Sequence, residues 1–131
     1  ANQTDPVAAI REISGGGVDF AFDTFGSAET SRQAVEALRK NGRAVVIGLA
    51  PLEDRAPIDL VDMVRNQKTL VGSYYGSGSP HEMFKTLVGL YLDGRIEIDS
   101  LIERRYKLDE INESFDALGR GEDGRGVIMF E

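Results

Sequence analysis

The 131-residue sequence contains no cysteine. That excludes a disulfide framework and any thiolate metal site. Its one histidine, His81, cannot build a zinc site by itself. No apolar run approaches the ~20 residues of a membrane-spanning helix, and no secretory signal opens the chain, so the cytoplasm is the expected location. Positive charge is sparse: 15 Lys and Arg stand against 22 Asp and Glu, a net charge of −7. With no basic run of five, nucleic acid and anionic membrane surfaces are not expected as partners. Phosphate-binding fingerprints are missing as well, since no GxGxxG follows a strand and no GxxxxGK[ST] occurs. A single histidine and no nucleophile elbow leave no Ser-His-Asp set. No internal repeat or low-complexity segment is present. The chain opens on Ala1 rather than methionine, partway into a helical pattern, which points to a piece of a larger protein.

What is present is a regular alternation. DPVAAIREI spaces Val7, Ile10 and Ile13 three apart on one helix face, with Asp5 as N-cap and Pro6 at the first helical position. Gly15, Gly16 and Gly17 stop that helix. Val18–Phe22 reads as a strand, Asp23–Ser27 as a turn, and Ala28 to about Lys40 as a helix capped by Ser27, burying Ala34, Val35 and Leu38 and ended by Asn41-Gly42. RAVVIGL, Arg43–Leu49, is a near-continuous apolar run of the kind buried on both faces of a parallel sheet. A proline-bearing loop, Ala50–Pro57, leads to a short helix over Ile58–Gln67 and a strand over Thr69–Tyr75. Ser79-Pro80-His81-Glu82 forms a capping box that starts a helix to about Leu92, with Gly94 at its end and Phe84, Leu87, Val88 and Tyr91 on its apolar face. The last third reads as strand Leu101–Tyr106, helix Asp109–Leu118 and strand Gly126–Phe130.

Strands alternating with helices of about ten residues imply an α/β fold: a partial parallel sheet with flanking helices, followed by a C-terminal strand-helix-strand. Ligands of such sheets sit beyond the C-terminal strand ends. Three such ends carry glycine: Asp23–Gly26, Gly48-Leu49 and Ser73–Gly76. Those glycines either admit a ligand or only permit tight turns. Asp23 can act catalytically, orient a ligand, cap the following helix from outside, or sit solvated in its turn, the commoner fate of such a residue. Tyr74 and Tyr75, adjacent in a strand, are expected on opposite faces, one in the core and one walling a pocket. Arg125, on a glycine-flexed turn beside Glu122 and Asp123, is either a phosphate or carboxylate clamp or a solvated turn residue. His81 reads as a solvent-facing helix residue, and Arg104-Arg105 as a solvated strand edge.

Taken in order, GGGVDFAFDTFGS, RAVVIGLAP, LVGSYYGS and LIERRYKLDEINESFDALGRGEDGRGVIMF resemble the C-terminal part of zinc-type alcohol dehydrogenases of the medium-chain dehydrogenase/reductase family. The resemblance implies a Rossmann-like parallel sheet whose second half occupies residues 1–95, and a segment, 96–131, that in the parent joins the catalytic domain. It implies a parent that moves hydride between a small alcohol or aldehyde and NAD or NADP, with zinc held by ligands outside this chain and the isolated chain inactive. The cofactor contacts it implies are Thr24, Phe25, Gly26, Ile47, Gly48 and Leu49 beside the nicotinamide ribose, the backbone of Ser73, Tyr74 and Tyr75 beside the nicotinamide amide, and Arg125 at the pyrophosphate. It also implies a homodimer that pairs strand Thr69–Gly72, with the Pro57–Leu60 region, across a two-fold axis. A zinc-free quinone or enoyl reductase of the same superfamily and a non-catalytic dimerising α/β module are the alternatives.

Overall fold

The computed structural model describes residues 4–122 and 124–130, and the chain divides into two compact units, Ala1–Ser79 and Pro80–Glu131. The first unit begins with helix α1, Pro6–Ile13. The Asp5 carboxylate caps it by accepting the backbone N–H groups of Val7 at 2.9 Å and Ala8 at 3.4 Å, which satisfies two of the orphan donors of a helix start. Strand β1, Val18–Asp23, leads to α2, Ala28–Glu36. The Ser27 hydroxyl accepts the Thr30 N–H and the Thr30 hydroxyl accepts the Ser27 N–H, a reciprocal box that holds this start in place. Strand β2, Leu38–Val46, helix α3, Leu60–Arg65, and strand β3, Thr69–Gly72, complete the unit.

The three strands are parallel in the order β1-β2-β3, and their last paired residues align as Asp23, Val46 and Gly72. The mixed α/β architecture expected from the alternation is therefore present. Helix α2 ends at Glu36, four residues before Lys40, because Leu38 is taken by the sheet. Leu38 pairs with Val18 and is fully buried, and the register then jumps so that Phe20 faces Arg43. The intervening bulge turns at Asn41, whose φ of 62° is left-handed, and its N–H is received by the Asn66 carbonyl at 2.8 Å. Val35, Leu38 and Ala44 form the core, with Val18, Ala21, Ala34, Ile58 and Met63 packed against them. The burial on both faces implied by the Arg43–Leu49 run is not met. Ala44 is buried, but Ile47 and Leu49 lie past the end of the ladder and are exposed.

The second unit contains α4, Pro80–Leu92, β4, Arg104–Lys107, α5, Ile111–Arg120, and β5, Gly126–Met129. Strands β4 and β5 pair in parallel, with Tyr106 opposite Ile128, and Tyr106 and Ala117 are buried. The expected strand at Leu101 starts three residues later. Asp99–Leu101 closes a 3-10 turn first, with the Leu101 N–H on the Ile98 carbonyl at 3.0 Å, and the Tyr91 hydroxyl donates to Asp99 at 2.7 Å. Phe84, Leu87, Val88 and Tyr91, the apolar face expected for α4, stay exposed.

Candidate functional site

Parallel pairing brings the three strand ends side by side. The Asp23 carbonyl accepts the N–H groups of Ile47 at 2.8 Å and Gly48 at 3.0 Å, and the Val46 carbonyl accepts that of Ser73 at 2.9 Å. Thr24, Phe25 and Gly26 follow β1, Ile47, Gly48 and Leu49 follow β2, and Ser73, Tyr74 and Tyr75 follow β3. Nine of the ten residues singled out in the sequence thus share one rim of one sheet. A cleft of about 460 Å3 opens there, lined by Ile47, Gly48, Leu49, Ser73, Tyr74 and Ser77 among others. A second cavity, about 370 Å3, follows the outer side of β1 past Phe20, Phe22 and Ala34.

Backbone packing at this rim depends on glycine. Gly26 has φ +78°, and a Cβ on it would fall on the backbone of Gly48, just as one on Gly48 would fall on Phe25 and Gly26. The two main chains touch with no room for a methyl group, which leaves a flat main-chain ledge. Asp23 holds this arrangement from below. It is only 5% exposed, its Oδ1 accepts the Gly26 N–H at 3.0 Å, and its Oδ2 accepts the Ser31 hydroxyl at 2.7 Å. Burial alone would push the Asp23 carboxyl up. The Gly26 N–H and the Ser31 hydroxyl, with lesser help from Thr30 and Phe25, outweigh it and hold the group below the usual carboxylate range. Asp23 is therefore neither a solvated turn residue nor a free base.

Tyr74 and Tyr75 depart from expectation. Strand β3 ends at Gly72, so the two rings do not alternate across a strand. Both are 65% exposed and pack edge to face on each other, with centroids 4.5 Å apart. Neither enters the core. Tyr75, Gly76 and Ser77 all have positive φ, at 48°, 71° and 58°, a strained run for two residues that carry a Cβ. Arg125 belongs to the second unit. Its carbonyl accepts the Glu103 N–H at 3.1 Å, and the Glu103 carboxylate accepts the Gly124 N–H at 2.8 Å. His81 is exposed in the first turn of α4.

Two residues were not singled out in the sequence. Ser31 lies eight positions after Asp23, and only the phase of α2 shows that its hydroxyl turns back to the strand end. Asp54, from the loop after β2, accepts the Ala28 N–H at 2.7 Å and so caps α2 from 26 residues away; no local pattern signals that contact. The residues present suit a flat, partly apolar ring laid on main chain, with the exposed side chains of Phe25, Leu49 and Tyr74 around it. They do not suit zinc. The chain has no cysteine, and among the described residues no group of three or more His, Asp or Glu converges.

The family model described as zinc-binding dehydrogenase matches residues 1–93. A geraniol dehydrogenase from Carpoglyphus lactis is 34% identical over 116 residues, which cover 88% of this chain and 30% of that protein. An alcohol dehydrogenase class-3 from Cereibacter sphaeroides is also 34% identical, over 88% of this chain and 31% of its own length. Among solved structures, benzyl alcohol dehydrogenase from Acinetobacter calcoaceticus superposes with a TM-score of 0.89 at 38% identity, over 99% of this chain and 36% of that one. A 2R,3R-butanediol dehydrogenase from Bacillus subtilis gives 0.78 at 29% identity. The chain spans about a third of the length of these relatives.

Proposed function

The chain belongs to the zinc-binding dehydrogenase family, and from that premise we propose that it is the C-terminal part of a nicotinamide-dependent alcohol dehydrogenase, in which it holds the nicotinamide half of NAD or NADP. The observation that carries this reading is the rim of the parallel sheet. The ends of β1 and β2 meet there as a glycine ledge, and a cleft of about 460 Å3 opens along the ends of β2 and β3, the place where open α/β sheets bind their ligands. The cofactor supplies the hydride chemistry, and the protein supplies orientation.

Each segment then has a part. Thr24, Phe25 and Gly26 with Ile47, Gly48 and Leu49 border the nicotinamide ribose, and the backbone of Ser73, Tyr74 and Tyr75 faces the carboxamide. Arg125 contributes a guanidinium to the pyrophosphate, a charge-assisted contact. The substrate is a small alcohol or aldehyde, and any zinc is held by residues outside this chain. Residues 1–95 belong to a Rossmann domain and 96–131 to the segment that joins the catalytic domain. Strand β3 offers the edge for a homodimer. Its residues are exposed along their whole length, and an open edge invites pairing across a two-fold axis.

Calorimetric titration of the full-length protein with NADH and with NADPH tests this reading. Saturable one-to-one binding of at least one of them is expected. Binding of neither, in a folded protein, would overturn it.

A further inference from the structure

Asp23 is a buried carboxylate to which the proposed function gives no part, and its bonds close a circuit across two of the three strand ends. Its side chain fixes the Gly26 N–H at 3.0 Å and the Ser31 hydroxyl at 2.7 Å. Its carbonyl fixes the N–H groups of Ile47 at 2.8 Å and Gly48 at 3.0 Å. Gly26 and Gly48 in turn pack main chain on main chain. One residue therefore anchors the turn after β1 from below and the turn after β2 from the side, and the two turns brace each other. The two side-chain bonds are not needed to pair β1 with β2, since that ladder runs through backbone bonds from Phe20 to Asp23, the Asp23 carbonyl's among them. The α2 cap itself is made by Ser27, Thr30 and Asp54, of which Thr30 also lends a weaker hydrogen bond to the Asp23 carboxylate. What the carboxylate adds is the position of Thr24, Phe25 and Gly26.

We propose that Asp23 is a positioning residue which, with Ser31, locks the Thr24-Phe25-Gly26 turn onto the Gly48 backbone and so sets the ledge that receives the nicotinamide half of the cofactor. This rests on the nicotinamide site proposed above. A charged acceptor suits the task. It binds its two donors more strongly than a neutral group does, and burial shields it from competing water. Loss of the carboxylate leaves two buried donors unsatisfied and frees the turn to drift by the fraction of an ångström that weakens a fitted contact.

The test compares NADH with ADP, which carries the adenine half and both phosphates without the nicotinamide ribose, on the full-length protein. Asp23→Ala should raise the NADH dissociation constant about tenfold and leave that for ADP within about twofold. Asp23→Asn should restore NADH binding to within about threefold of the unmutated protein, because the amide oxygen still accepts the Gly26 N–H and the amide NH2 can donate to Ser31. Equal weakening of both ligands, or weakening of neither, would overturn the proposal and reduce Asp23 to a support of the fold. If Asp23→Ala does not fold, Ser31→Ala decides the matter: a rise of about threefold for NADH alone supports the proposal, and a parallel or absent change overturns it. Unmutated protein that binds neither NADH nor NADPH overturns the cofactor reading and this inference together, whereas normal binding of the reduced cofactor without the split from its adenine half overturns this inference alone.

Discussion

A methyl group on Gly26 or on Gly48 would land on the other's backbone, whereas one on Gly72 would meet nothing within 4 Å. Three glycines at equivalent strand ends therefore carry unequal burdens. Gly26→Ala combines a left-handed φ with a main-chain clash and should lower unfolding free energy by about 2–4 kcal/mol, measured from urea midpoints of the full-length protein. Gly48→Ala should cost about 1–3 kcal/mol through the clash, and Gly72→Ala should stay within about 1 kcal/mol, since it sits in open strand geometry. Asp23 adds a pH dependence with a definite sign. Its folded pKa lies below the ordinary value, so its stabilisation is complete above about pH 4, the unfolded carboxylate range, and is lost as pH falls through the lower folded value. Urea midpoints followed downward from pH 5 should fall in the unmutated protein, and the fall should flatten in Asp23→Asn. At Arg125 the measurement is affinity. Arg125→Ala should weaken NADH binding by about 1–3 kcal/mol, and an unchanged dissociation constant would return it to a solvated turn residue. An aspartate three residues before a glycine is a turn signal readable in the sequence. Its second donor, Ser31, is not, because that contact depends on the rotational phase of a helix.

Element starts were more legible than element ends. The caps at Asp5 and Ser27 are local, side chain to backbone within three residues, and the sequence displays them. The end of β2 is set instead by its neighbours. Residues Ile47–Leu49 continue the apolar run, yet the ladder stops where β1 turns at Asp23 and β3 at Gly72. The end of α2 is likewise decided outside the helix, where the Arg11 guanidinium donates to the carbonyls of Glu36 at 3.1 Å and Leu38 at 3.2 Å. The junction between α3 and β3 turns on Lys68. Its nearly buried ammonium donates to Asp62 at 2.7 Å and to the Val35 carbonyl at 3.0 Å. The Lys68 hydrogen bond is the largest influence holding the Asp62 carboxyl below its usual range. Lys68→Ala strands both acceptors and should cost about 2–3 kcal/mol, less than a fully buried pair because Asp62 is partly exposed. Thermal or urea unfolding checks it, and a loss under about 0.5 kcal/mol would show that water replaces the ammonium.

Over the whole molecule, many large apolar side chains stay uncovered. Phe20, Phe22, Val61, Val64, Phe84 and Phe115 are each more than half exposed, and single-domain proteins rarely leave contiguous apolar patches of any size uncovered. The 131-residue chain expressed alone should therefore self-associate on size exclusion with light scattering, bind a hydrophobic dye, and turn over no alcohol with NAD or NADP. A monodisperse, dye-silent monomer would contradict this. By itself the sequence determined the alternation of helices and strands, most of their starts, and the strand-end glycines that point to a ligand rim, because propensity, capping and turn chemistry act over a few residues. Only the tertiary structure decided that Asp23 is a buried anchor, that Tyr74 and Tyr75 stack outside a strand, and that Leu38 belongs to the sheet. Asp23 and Leu38 each depend on a partner brought near by packing, Ser31 for Asp23 and Val18 for Leu38, and the tyrosines on where the β2–β3 ladder stops; no spacing along the chain encodes those outcomes.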